Sequence, residues 1–204
     1  MANQICTESD TEEAVEQIRD VYRNASVTQS QEYITTVNQL TDQLPALQPE
    51  TLSAASTLVQ RRISESTDVI AVEEDKGLPI GVLAATELQL PLAVARWYTY
   101  EIDVEDEPQV EVEMDSEYYS GQLYLNGVTS GDSVTIVDDT ISTGGTMTAL
   151  IDAIREAGAS VEGAHCLVEK RDNGGVERVE AETGVSVSTE VVIRADHDGV
   201  EVIE

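Results

Sequence analysis

Positive charge is what this chain has least of. Its 204 residues carry 11 Lys plus Arg against 40 Asp plus Glu, a formal net charge of −29, and Lys76 and Lys170 are its two lysines. With no basic stripe to release counterions from a phosphate backbone, nucleic acid is excluded as a partner class. The acids are spread over the whole chain and not gathered in a tail, which argues against a partner-binding acidic tail. In molar salt the Debye length is about 3 Å, so this self-repulsion is screened; in dilute buffer it destabilises. The expectation is a cytoplasmic protein of a halophilic archaeon's high-salt cytosol.

Cysteine is scarce too. Cys6 and Cys166 stand in no CxxC and no metal-ligand spacing. Cys166 lies in an apolar run, where it is expected to pack as a small hydrophobe. No apolar run reaches about 18 residues and no signal peptide is recognisable, so no membrane partner is expected. Internal repeats and low-complexity linkers are missing. So are a GKS or GKT lysine loop, which excludes a Walker A site, and GxGxxG, which removes the dinucleotide fingerprint.

What is present is apolar in 41% of positions, enough to fold, and long enough for one domain, 1–204, with a core of its own. Residues 9–24 read as a helix capped by Ser9 or Asp10, with Ala14, Ile18 and Val21 on one stripe. Residues 26–47 are polar, with a short strand in 31–38. Pro49 opens an amphipathic helix striped by Leu52, Ala55, Leu58, Val59, Arg62 and Ile63. Beyond it, strands are expected at 68–72, 90–100, 133–139, 160–170 and, last, 185–193. Helices are expected at 78–88, 143–159 (with Gly158 where a C-terminal cap belongs) and 176–184. Short apolar strands alternating with helices predict an α/β fold, a mostly parallel central sheet flanked by helices. Residues 1–48 would supply the first helix and a small hood, and 49–204 the core. Residues 98–127 break the pattern and predict a long β-ribbon that leaves the core as a lid.

The densest chemistry lies in VTIVDDTISTGGT, residues 134–146. An apolar strand runs into Asp138 and Asp139, at the carboxyl end where open α/β sheets hold ligands. The loop 140–145 then opens a helix, whose N-terminal amides favour an anion. Gly144 and Gly145 permit close approach, and Thr140, Ser142, Thr143 and Thr146 add hydroxyls. Two carboxylates beside a phosphate cradle suit a sugar phosphate, because acids accept hydrogen bonds from ribose hydroxyls and hold Mg²⁺.

This stretch resembles the phosphoribosyl-pyrophosphate signature of the type I phosphoribosyltransferases. Residues 68–96 resemble that family's pyrophosphate-loop region. Residues 120–170 are most similar to archaeal, in particular haloarchaeal, hypoxanthine/guanine phosphoribosyltransferase-like proteins, themselves related to adenine phosphoribosyltransferases. The resemblance implies the type I fold, a homodimer, and a purine-salvage transferase. That enzyme moves the phosphoribosyl group of phosphoribosyl pyrophosphate to hypoxanthine, guanine or adenine, with Mg²⁺. The alternative is a non-catalytic sensor of phosphoribosyl pyrophosphate or a nucleotide on the same fold. By resemblance, Asp138 and Asp139 hold the ribose hydroxyls and, through water or substrate, Mg²⁺. Thr140, Ile141, Ser142, Thr143, Gly144, Gly145 and Thr146 cradle the 5′-phosphate, and Asp75, Lys76 and Gly77 meet the diphosphate. Lys76 and Arg96 complete the catalytic set. Trp97 and Tyr98 are candidates to cover the site or stack on a base. Lys170 stands where oxopurine-using relatives often carry a lysine facing the exocyclic oxygen. At position 142 one branch has an aspartate that can act on purine N7; Ser142 is nearer the adenine-type pattern. The stretch after Arg96 departs from the family, placing Glu101, Asp103, Glu105, Asp106 and Glu107 where relatives carry basic residues.

Overall fold

A computed structural model describes residues 8–30, 33–99 and 109–203. The first helix, α1 (Glu8–Arg23), buries the expected Ala14, Ile18 and Val21, and also Tyr22. Ser9 and Asp10 lie inside it and not at its cap. A hairpin of β1 (Ser26–Ser30) and β2 (Tyr33–Val37) follows in the stretch expected to form the hood, with one more strand than the sequence suggested. Pro49 begins α2 (Pro49–Gln60), which stops short of the expected Ile63. Arg62 leaves the stripe there and donates from Nε to Glu190 at 2.6 Å.

Five parallel strands and one antiparallel edge form the central sheet. Its strands are β3 (Val69–Glu73), β4 (Leu92–Ala95), β7 (Ser133–Ile141), β8 (Ser160–Lys170), β9 (Val191–Asp196) and β10 (Gly199–Val202), in the order β10-β9-β8-β7-β3-β4. The period-2 alternation of strands decides both faces. Ile70, Val72, Val137 and Leu167 pack with α1, α2 and α3 (Leu78–Leu88). Val69, Ala71, Val134, Ile136 and Ala164 pack with α4 (Gly145–Glu156). A fully buried Ile or Leu at such positions contributes roughly 1.5–3 kcal/mol relative to exposure. Cys166 is buried as a small hydrophobe, as expected, and lies on the α4 side.

Of the expected strands only 160–170 keeps both its bounds, and three of the differences bear on the site. The strand expected over 90–100 ends at Ala95, because Arg96 exchanges backbone bonds with Tyr124 (2.8 and 2.7 Å) and turns away. The strand carrying Asp138 runs on to Ile141, because β8 continues opposite it and pairs Val168 with Thr140 and Glu169 with Ile141. Continuous pairing near the C-terminus starts at Val191, after an isolated bridge at Ser188, and the chain returns as β10. The Asp198–Gly199 dipeptide is the turn signal that could have announced that return. Past β8, a 3₁₀ turn (Arg171–Asn173) leads into α5 (Gly175–Thr183).

The ribbon of β5 (Val110–Asp115) and β6 (Ser120–Leu125) is antiparallel as expected, but it does not leave the core. Val110, Met114, Leu123 and Leu125 are buried in the cluster around α4, while Glu111 and Glu113 point outward. A ribbon with one apolar face has to bury it, and the α4 side of the sheet is where it does so. The acids from Glu101 to Glu107 fall outside the described residues.

Candidate functional site

The carboxyl ends of β3 and β7 lie side by side, and the candidate site is built on them. Asp138 and Asp139 are 8% and 3% exposed, and the Asp139 amide donates to Asp138 Oδ1 at 2.9 Å. Burial, the charge of Asp139 and the charge of Glu73 push the Asp138 carboxyl well above the ordinary range. Burial raises Asp139 too, partly offset by the Lys76 ammonium and by a hydrogen bond from the Thr140 side chain. Glu73, the last residue of β3, is pushed up to about 7, first by burial and then by its acidic neighbours, against a stabilising bond from the Asp75 amide. Glu73 Oε1 and Asp139 Oδ2 are buried without a protein hydrogen-bond partner. Sequence reading missed Glu73; its signal was a third acid at a strand's carboxyl end.

Past Ile141 the chain turns through Ser142, Thr143 and Gly144 into α4. Gly144 has φ +81°, and a Cβ there would fall 2.7 Å from Gly175 O. A Cβ on Gly145 would fall 1.8 Å from Asp115 O, so the ribbon's end seats directly on the start of α4. No side chain caps this helix. Its first-turn amides, which have no acceptor within the helix, are left for an anion. Residues 142–147 line a cavity of about 60 Å³ with Ser116, Glu117, Tyr118, Asp138, Thr140, Ile141 and Cys166. The structure thus brings together all the residues of the expected phosphate loop, with Thr140 and Ile141 on the strand and not in the turn.

The turn Asp75-Lys76-Gly77 lies against this grip. A Cβ on Gly77 would fall 2.8 Å from Asp138 Oδ1, so only glycine lets the turn approach so closely. Lys76 Nζ sits 4.2 Å from the Tyr118 ring centroid, a cation–π contact. Asp75 is exposed.

Lys170 ends β8 and is 5% exposed; its Nζ donates to Glu117 Oε2 at 2.9 Å and to Oε1 at 3.1 Å. Glu117 also accepts from Thr35 Oγ1 of the hood at 2.9 Å and from Ser142 Oγ. Asn173 Nδ2 donates to Ser142 Oγ at 2.7 Å. Burial would raise the Glu117 carboxyl, but the Lys170 charge and these hydrogen bonds together hold it below its usual value. The ribbon tip thus reaches the sheet's end through one buried ion pair. Glu117 was not foreseen, since one carboxylate among 40 acids carries no sequence signal.

Arg96, Trp97 and Tyr98 are not drawn into the phosphate cavity. Arg96 sits at the root of the ribbon, with Nη1 at 3.5 Å from Val94 O. Trp97 stacks on Tyr119 (4.9 Å between centroids, 7° between planes), and its amide donates to Glu74 Oε1 at 3.1 Å. Tyr98 is half exposed.

Fold and cleft define an α/β domain with an acid-and-glycine site at the carboxyl ends of parallel strands. Residues 37–198 match the phosphoribosyl transferase domain. Hypoxanthine/guanine phosphoribosyltransferase of Methanopyrus kandleri is 38% identical over 169 residues, 82% of this chain and 87% of that protein. The protein of the same name from Methanocella paludicola is 33% identical over 186 residues, 91% of this chain and 94% of its own. Among solved structures, adenine phosphoribosyltransferase from Thermoanaerobacter pseudethanolicus superposes with a TM-score of 0.70 at 19% identity, covering 87% of this chain and 99% of that one. Adenine phosphoribosyltransferase from Trypanosoma brucei, in complex with AMP, pyrophosphate and ribose-5-phosphate, gives 0.69 at 15% identity, covering 86% and 78%. The chain belongs to the phosphoribosyl transferase domain family and shares its fold.

Proposed function

We propose that the protein is a purine phosphoribosyltransferase of salvage, using phosphoribosyl pyrophosphate and a 6-oxopurine, hypoxanthine or guanine. One observation carries this reading: Gly77 brings the Lys76 turn against Asp138, so diphosphate contacts and ribose contacts meet in one cleft. Asp138 and Asp139 accept from the 2′ and 3′ hydroxyls. The α4 amides and the hydroxyls of residues 142–146 hold the 5′-phosphate, and Lys76 faces the diphosphate. The bond between base N9 and ribose C1′ forms as the C1′–O bond to diphosphate breaks, and the N9 proton leaves. Positioning and charge stabilisation of the leaving group carry the acceleration.

The carboxylates fit a hard divalent cation, since Asp139 Oδ2 and Glu73 Oε1 are buried and unpartnered. Asp138 and Asp139 would hold Mg²⁺, directly or through water, and bound Mg²⁺ would neutralise diphosphate charge. Among the described residues no group of three or more His, Cys, Asp or Glu side chains forms a metal cage, which favours an ion shared with the substrate. Lys170 at the end of β8 and the names of the archaeal relatives support the oxopurine choice. The acidic composition supports a high-salt cytosol, and no described helix is long and apolar enough to cross a membrane. A homodimer is part of the same reading, supported by family membership.

The test is an assay in molar KCl with Mg²⁺, phosphoribosyl pyrophosphate and, in turn, hypoxanthine, guanine, xanthine and adenine. The expected products are pyrophosphate and a nucleoside monophosphate from hypoxanthine or guanine. Binding of phosphoribosyl pyrophosphate without product from any base would replace this reading with a sensor.

A further inference from the structure

Tyr22 is fully buried, yet its hydroxyl ends beside the candidate site: Oη lies 2.6 Å from Thr140 Oγ1. It stands on α1, outside the residues that match the family, 37–198. Thr140 lines the phosphate cavity and follows Asp139 in the chain. A phenol in an apolar core needs a partner for its own O–H, and Thr140 Oγ1 is that partner.

We propose that Tyr22 is a positioning residue for the phosphoribosyl group: its hydroxyl holds the Thr140 side chain in one rotamer at the wall of the phosphate cavity. The N-terminal helix then belongs to the ligand grip and not only to the scaffold. The inference rests on the phosphoribosyl reading of residues 138–146.

The experiment is calorimetric titration of wild type and Tyr22→Phe with phosphoribosyl pyrophosphate and Mg²⁺ in molar KCl, alongside steady-state kinetics. Phenylalanine keeps the ring in the core and removes only the hydroxyl. The expected result is a Kd and KM for phosphoribosyl pyrophosphate raised about five-fold, the scale of one neutral hydrogen bond, with KM for the base unchanged. Thr140→Val raises the same constants, and adding Tyr22→Phe to it causes no further rise. A Tyr22→Phe protein with unaltered Kd and only a lower Tm would overturn the inference and leave the transferase reading intact. Altered Kd without turnover in wild type would support the inference and overturn the transferase. No binding by wild type would overturn both.

Discussion

Around Asp138 one continuous stretch of chain, 134–146, supplies most of the cleft, with the ribbon tip, Cys166 and the Gly77 turn closing it; around Lys170 it is collected from the hood, the ribbon tip, the end of β8 and the turn after it. The first half depends on backbone: a strand end, a positive-φ glycine and a helix start. The second depends on side chains that meet through a buried ion pair. A backbone site survives most changes of side chain around it. An assembled site is sensitive to each member, because a buried charge is tolerated only while its partner stays.

The largest effect should follow from breaking that pair. Glu117→Ala leaves Lys170 buried without a counter-charge and should cost about 3–5 kcal/mol. Glu117→Met combined with Lys170→Leu should recover most of it. Denaturant titration in molar KCl reads both; a cost below about 1 kcal/mol for the single change would mean the pair is effectively solvated.

Next comes the acid end of β3. The Glu73 carboxyl is raised from 4.5 to about 7 in the folded protein. Between those pH values the native state keeps a proton that the unfolded chain has released. The unfolded chain therefore binds fewer protons, and stability falls as pH rises from about 4.5 through about 7. The loss due to this group is on the order of 3 kcal/mol. Melting curves against pH at fixed KCl should show Glu73→Gln lacking that part of the decline. An identical decline in the variant would remove Glu73 from the cluster.

A smaller effect is expected in the backbone half. Gly145→Ala puts a Cβ against Asp115 O and should cost about 1–3 kcal/mol as the ribbon shifts off α4. Weakened phosphoribosyl pyrophosphate binding should accompany it. Wild-type stability would show that the ribbon adjusts freely.

The same contrast explains what could be read from sequence. Alternating strands and helices gave the parallel sheet, because burial on both faces leaves continuous apolar runs such as 69–72. The strand β8 and the helix α3 were legible to the residue, since turn residues bound them. Asp138, Asp139 and the glycines of 144 and 145 were legible because backbone chemistry constrains neighbours in sequence. Glu117, Thr35, Asn173 and Tyr22 were not. Each is an ordinary polar residue whose role arises from long-range contact, Tyr22 with Thr140 across 118 positions. The ribbon was foreseen as a strand pair but not as part of the core. Its alternation says which face is apolar, and says nothing of which surface receives it. Trp97, expected as a candidate to cover the site or stack on a base, has its ring stacked on Tyr119, a partner 22 positions away that no local pattern announces.

The central claim is that one stretch grips a phosphoribosyl group. It is tested most directly by calorimetric binding of phosphoribosyl pyrophosphate with Mg²⁺ to wild type and to the double variant Asp138→Asn, Asp139→Asn in molar KCl. The account predicts at least about 100-fold weaker binding in the double variant, from the loss of two charged hydrogen-bond acceptors, with the fold retained by circular dichroism. Unchanged affinity in that variant would contradict it.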